Sequence, residues 1–140
     1  MQTALAEHFD SLIPRLMIVD GDRDSRLLHK TVLTDVAETL LEAEDGVEAL
    51  AKAAAGPPDV IVTDARLARI EGYALCALLR LDPRTHGAAI VMTTAAAFPE
   101  DIARAREAGA DEVLVKPYMP EALIAAVWRL WQLRHAAAEK

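Results

Sequence analysis

Four short runs in this sequence, apolar or β-branched, end on side chains able to do chemistry. Leu16–Val19 leads into Asp20, Gly21 and Asp22; Val60–Thr63 leads into Asp64; Ile90–Thr93 leads into Thr94 and Ala95; Glu112–Val115 leads into Lys116 and Pro117. Two carboxylates held close repel each other unless a cation joins them, so Asp20 and Asp64 suit a hard divalent ion such as Mg²⁺. A carboxylate is also a nucleophile toward phosphorus and yields an aspartyl phosphate. A lysine supplies compact positive charge for phosphoryl oxygens, and a threonine hydroxyl can donate to one of them. Any one of these residues alone reads as a solvated loop side chain, but chance is a poor account of the set. Asp20-Gly21-Asp22 leaves three readings open: a catalytic Asp-x-Asp pair, a magnesium site short of one ligand, or one site residue beside an ordinary solvated aspartate.

The elements that must position these residues can be read from periodicity and breakers. Leu16–Val19, Val60–Thr63, Ile90–Thr93 and Glu112–Val115 predict buried strands, and Thr39–Ala43 is a weaker fifth. Helices are expected over Asp24–Val36, with Leu27, Leu28, Thr31 and Val32 on one side, and over Val47–Ala55, which stops at Gly56-Pro57-Pro58. Three more are expected over Tyr73–Leu81, Pro99–Ala108 and Pro120–His135, the fourth helix starting on proline and ending at Gly109. The order is (βα)5, which implies a parallel sheet covered on both faces. In such sheets ligands bind beyond the carboxyl ends of the strands, where the four chemical residues fall.

Composition narrows the classes. At 140 residues the chain suits one domain, and 53% hydrophobic with 26% charged residues is ordinary for a globular protein. Aromatics make up only 4%, so the core must be aliphatic. A net charge of −7 disfavours direct nucleic-acid binding, which needs a basic footprint. The single cysteine, Cys76, permits no internal disulfide and reads as a buried helix residue. No apolar run approaches the roughly 20 residues of a membrane span, and no leader segment is visible. A cytoplasmic protein is expected, with residues 1–14 as a mostly polar lead-in, 15–135 as the domain and 136–140 as a tail.

These residues resemble the response-regulator receiver domain of two-component signalling, from about Arg15 to Leu133. VDGDRDSRLL is similar to that family's VDDDxxxRxxL opening, and EAEDGVEAL to its second strand and helix. DVIVTD with Gly72 eight residues on resembles the phosphoacceptor segment, MTTA the Thr/Ser switch segment, and AGADEVLVKPY the strand that ends in Lys-Pro. The resemblance implies a flavodoxin-like (βα)5 fold with strand order 2-1-3-4-5. It implies that Asp64 is the phosphorylated aspartate. It makes Asp20, Asp64 and the backbone carbonyl of Arg66 the ligands of Mg²⁺, has Thr94 and Lys116 engage the phosphoryl group, and makes the Lys116–Pro117 bond cis. The role is that of a signalling phosphoprotein rather than an enzyme, loaded by a histidine kinase or phosphotransfer protein. Its output is expected through a face of the fourth helix, fifth strand and fifth helix around Ala103, Glu107, Val113 and Trp128. The expected partner is a downstream protein or a second copy of the chain. Trp128 and Trp131 lie three apart, which leaves two arrangements open: one in the core with the other exposed as a dimer or partner patch, or both packed in the core.

The sequence departs from that pattern at three places. Gly21 stands where the family carries a second acidic residue that binds magnesium directly. Its loss should weaken metal binding by about 1–3 kcal/mol, the scale of one charge-assisted contact. Asp22 reads better as a helix cap, shared with Asp24 as a candidate, than as a replacement ligand. After Asp64, Ala68 replaces a loop proline, and Arg66 and Arg69 add charges that read as solvated. Val113 occupies the place of the switch aromatic, and Tyr118 reads as packing. Gly21 and Val113 together support a second reading, a phosphorylation-independent pseudo-receiver that binds protein. A third, a haloacid-dehalogenase-type phosphatase with Asp20 as nucleophile and Asp22 as general acid, lacks the hydroxyl expected at Asp24 and an acidic pair soon after Lys116.

Overall fold

The computed structural model describes residues 12–139, so most of the lead-in lies outside the described residues. These form five strands, β1 (Ile13–Val19), β2 (Ala37–Ala43), β3 (Val60–Asp64), β4 (Ala89–Thr94) and β5 (Glu112–Val115). Between and after them run five helices: α1 (Arg23–Leu33), α2 (Gly46–Ala55), α3 (Gly72–Leu81), α4 (Pro99–Ala108) and α5 (Pro120–Glu139). All strand pairs are parallel, in the order β2-β1-β3-β4-β5. The order reverses at β1 and β3, which opens a crevice beyond their carboxyl ends.

Alternation along the strands sorts the core into two layers. Met17, Val19, Ile61, Ile90 and Met92 face α2, α3 and α4, meeting Ala49, Ala53, Leu75, Cys76, Leu79 and Ala105. Leu16, Ile18, Val60, Val62 and Val91 face α1 and α5, meeting Leu33, Leu123, Val127 and Leu130. The aliphatic core expected from composition is the one observed, and Cys76 is fully buried in it. Among the described residues no helix is long and apolar enough to cross a membrane.

Several expectations need correction. β1 begins at Ile13, inside the expected lead-in, because Ile13 is fully buried and pairs with Ala37. β2 is a full strand from Ala37, longer than the weak candidate, and α5 runs on through Glu139. α1 turns a different face inward. Leu27 and Leu28 are both 59% exposed, while His29 and Leu33 are buried; of the expected apolar side only Val32 packs against the core. Neither tryptophan is fully exposed: both Trp128 and Trp131 are half-buried, Trp131 packs against the α1–α5 core layer, and it stacks on His135 with ring centroids 5.2 Å apart.

Candidate phosphoacceptor site

Register brings the chemical residues together. Val19 pairs with Thr63, so Asp20 and Asp64 leave neighbouring strands side by side. Asp64 pairs with Thr93, and Thr94 pairs with Val115, the residue before Lys116. The amide of Lys116 then donates to the carbonyl of Thr94 at 2.7 Å, and its ammonium Nζ lies 3.3 Å from Oδ2 of Asp64. The Lys116–Pro117 peptide is cis, as the resemblance implied.

A cavity of about 430 Å³ opens over this edge, lined by Asp64, Arg66, Glu71, Tyr73, Thr94 and Lys116 among others. Its floor depends on glycine at one point. The amide of Gly72 donates to the carbonyl of Ala65 at 2.9 Å, and a Cβ there would meet the Asp64 carbonyl oxygen at 2.3 Å. Only a residue without a side chain lets α3 start this close to the end of β3. Thr94 is buried, and its hydroxyl accepts from the amide of Ala96 at 3.0 Å. Arg66 is exposed on the rim, and Arg69 turns away to pair with Asp45 at 3.2 Å.

Asp20 lies on the β1 side of this cavity rather than on its wall, with 2% of its surface exposed. Its Oδ1 accepts from the amide of Asp22 at 2.9 Å, and its Oδ2 accepts from the Ser25 hydroxyl at 2.5 Å. Arg26 donates to its backbone carbonyl at 2.9 Å. Asp22 is the α1 N-cap: its carboxylate accepts from the amide of Ser25 at 2.9 Å. Of the readings of Asp22, the helix cap is the one observed. Gly21 has no left-handed φ, and a Cβ on it would touch only the Glu44 carbonyl oxygen, at an ordinary 3.5 Å. What remains for a cation is hard-oxygen chemistry: the carboxylates of Asp20 and Asp64 and the carbonyl of Arg66. That donor set fits a divalent ion that keeps several waters, as magnesium does. Among the described residues no cluster of three or more His, Cys, Asp or Glu side chains forms a cage.

His29 was missed as a site neighbour. It is 5% exposed, its Nδ1 lies 3.9 Å from Oδ2 of Asp20, and its Nε2 and the Tyr118 hydroxyl hydrogen-bond at 2.5 Å. Burial pushes the imidazole below its ordinary pKa, against the pull of Asp20. Burial first, then the charges of Asp20 and Asp64, push the Tyr118 phenol up to about 12, so it stays protonated. A signal was present: aligned on VDDDxxxRxxL, the closing leucine falls on His29, not Leu28. Tyr118 packs against the α1–α5 core layer, as its packing reading expected.

A five-stranded parallel sheet in this order, with an acidic pair at the switch point and a lysine reaching the second carboxylate, defines a receiver-type α/β domain. A family model of the response regulator receiver domain matches residues 16–128, and this chain belongs to that family. It is 31% identical over 113 residues to protein PilG of Pseudomonas aeruginosa, covering 81% of this chain and 84% of PilG. It is 31% identical over 118 residues to the DNA-binding response regulator MtrA of Mycobacterium tuberculosis, covering 84% of this chain but 50% of MtrA. The chain thus spans most of one such relative and half of the other. The chemotaxis response regulator CheY4 of Vibrio cholerae superposes with a TM-score of 0.78 at 30% identity, covering 84% of this chain and 98% of CheY4.

Proposed function

We propose that this chain accepts a phosphoryl group on Asp64 from a histidine kinase or phosphotransfer protein. The observation that carries the reading is the Lys116 ammonium 3.3 Å from Oδ2 of Asp64, at the mouth of a cavity that also presents Thr94. An Asp64 oxygen attacks phosphorus, the bond from phosphorus to the donor atom breaks, and that donor leaves with its electron pair. Lys116 then exchanges a carboxylate partner for the phosphoryl oxygens, and the Thr94 hydroxyl is within the same cavity to donate to another. Mg²⁺, held by Asp20, Asp64 and the Arg66 carbonyl, would neutralise charge on the phosphoryl oxygens when bound. Gly21 leaves that ion one carboxylate short, so its affinity is lowered.

The output is a shift between two states of the face built from α4, β5 and α5. Ala103 and Glu107 are exposed on it, and Val113 and Trp128 are half-buried. A downstream protein or a second copy of the chain docks there, in the cytoplasm, with no direct nucleic-acid contact. Gly21 and Val113 favour a second reading, a pseudo-receiver that binds its partner without phosphorylation.

Intact mass after incubation with acetyl phosphate and Mg²⁺ decides between the two. One added phosphoryl group on wild type, absent from Asp64→Ala, supports the phosphoacceptor. No gain on wild type with gain on Gly21→Asp supports a pseudo-receiver silenced at one glycine.

A further inference from the structure

His29 has no role in the phosphoryl chemistry just described, yet it is buried beneath the site. Burying an imidazole away from water is costly unless it is hydrogen-bonded. Its bond is to Tyr118, 89 positions away, with the two rings 11° from parallel and their centroids 6.1 Å apart. That contact joins two segments that meet on the α1–α5 core layer, where Leu33 and Tyr118 both pack. β5 is the edge strand, four residues long, and none of them is fully buried. Lys116 follows it on a flexible stem, and the main-chain bond that anchors it is to Thr94. α1, on the other side, is tied to the end of β1, because Ser25 and Arg26 both donate to Asp20. The links close a ring around the site: Asp20, α1, His29, Tyr118, Lys116 and Asp64, with Asp64 beside Asp20 again.

We propose that His29 and Tyr118 are positioning residues, whose mutual hydrogen bond ties the segment after β5 to α1 and so holds Lys116 against Asp64. This rests on the reading of Asp64 as phosphoacceptor. Neither residue touches the phosphoryl group; both act through the lysine. Two segments separated by most of the chain gain one fixed distance, and a lysine stem of four carbons starts from a main chain that does not drift.

The test is the rate of phosphorylation by acetyl phosphate over a range of its concentrations, in wild type, His29→Leu, Tyr118→Phe, the double variant and His29→Gln. Melting temperature and the side-chain ¹⁵N resonance of Lys116 are recorded for each. His29→Leu and Tyr118→Phe each remove the bond without adding bulk or charge. Each is expected to lower the rate on the order of tenfold, as displacement of a positioned group does, and to shift the Lys116 resonance. The double variant should be no slower than the slower single one, because one bond is lost in all three. His29→Gln, which keeps a nitrogen near the Tyr118 hydroxyl, should recover most of the rate. Altered melting temperatures with unchanged rates and an unmoved Lys116 resonance would overturn the proposal, as would additive losses in the double variant. Should wild type take up no phosphoryl group, the reading of Asp64 fails. The Lys116 resonance then decides the positioning role by itself: a shift in both single variants supports it, and no shift overturns it.

Discussion

The ammonium of Lys116 reaches Oδ2 of Asp64 across 52 positions of sequence, at 3.3 Å. Two parallel pairings make this contact, β3 with β4 and β4 with β5, each carrying the chain end one strand further. The ion pair is partly screened, with 34% of the lysine side chain exposed, so its value lies in placement more than in stability.

Lys116→Met should keep the fold and lose the charge that meets the incoming phosphoryl group. Removing one such electrostatic partner costs about 10²–10³-fold in rate. Timed intact-mass measurements with acetyl phosphate check this, with circular dichroism confirming an unchanged fold. A rate within threefold of wild type would remove Lys116 from the site.

Gly21→Asp should be accommodated, since its Cβ meets only one carbonyl oxygen at 3.5 Å. It adds a carboxylate next to Asp20, and Mg²⁺ affinity should rise by about 1–3 kcal/mol, roughly fivefold to more than a hundredfold. Calorimetric titration of Mg²⁺ into wild type and variant measures the difference directly. Equal affinities would mean that another group already serves as the missing ligand.

Gly72→Ala should be harmful for a conformational reason unrelated to charge. Its methyl would sit 2.3 Å from the Asp64 carbonyl oxygen and 2.8 Å from Cα of Ala65, so either β3 or α3 must move. Overpacking of this kind costs about 1–3 kcal/mol. Urea unfolding should show that loss, and phosphorylation should slow with it, because the displaced backbone carries Asp64.

Asp22→Ala should separate cap from chemistry. The lost bond to the Ser25 amide should cost about 1 kcal/mol, the usual value of an N-cap carboxylate. Denaturant midpoints would register that loss while the rate of acetyl phosphate reaction stays near wild type. A large fall in rate with no fall in stability would place Asp22 in the site after all.

Burial pushes the Cys76 thiol up to about 12, so it stays protonated and shielded in the folded protein. At pH 8 it should resist thiol reagents until the chain is unfolded. The sign for stability follows: a folded pKa above the ordinary 9.0 means that the unfolded thiol ionises first. Stability is therefore full below about pH 9 and declines as pH rises toward 12. Reaction with a thiol reagent, followed with and without urea at pH 8, tests the shielding.

The sequence by itself determined the strands, the breakers between them and the residues at their ends. Those are local matters: continuous apolar runs such as Val60–Val62 have only a buried parallel strand to become, and Gly56-Pro57-Pro58 or Gly109 must stop a helix. Because the strands are parallel, their carboxyl ends share one edge, and Asp20, Asp64, Thr94 and Lys116 were legible as one set. Tertiary structure decided, against local hydropathy, which face α1 turns inward. Leu27 and Leu28 look like the buried side by hydropathy, yet they face solvent. His29 turns inward instead because Tyr118, contributed from beyond β5, supplies the hydrogen bond that makes a buried imidazole tolerable. A partner 89 positions away leaves no trace in local periodicity. The limits of β1 and β2 were decided the same way: Ile13 and Ala37 become strand because they pair with each other, and pairing is a property of two segments, not of either one.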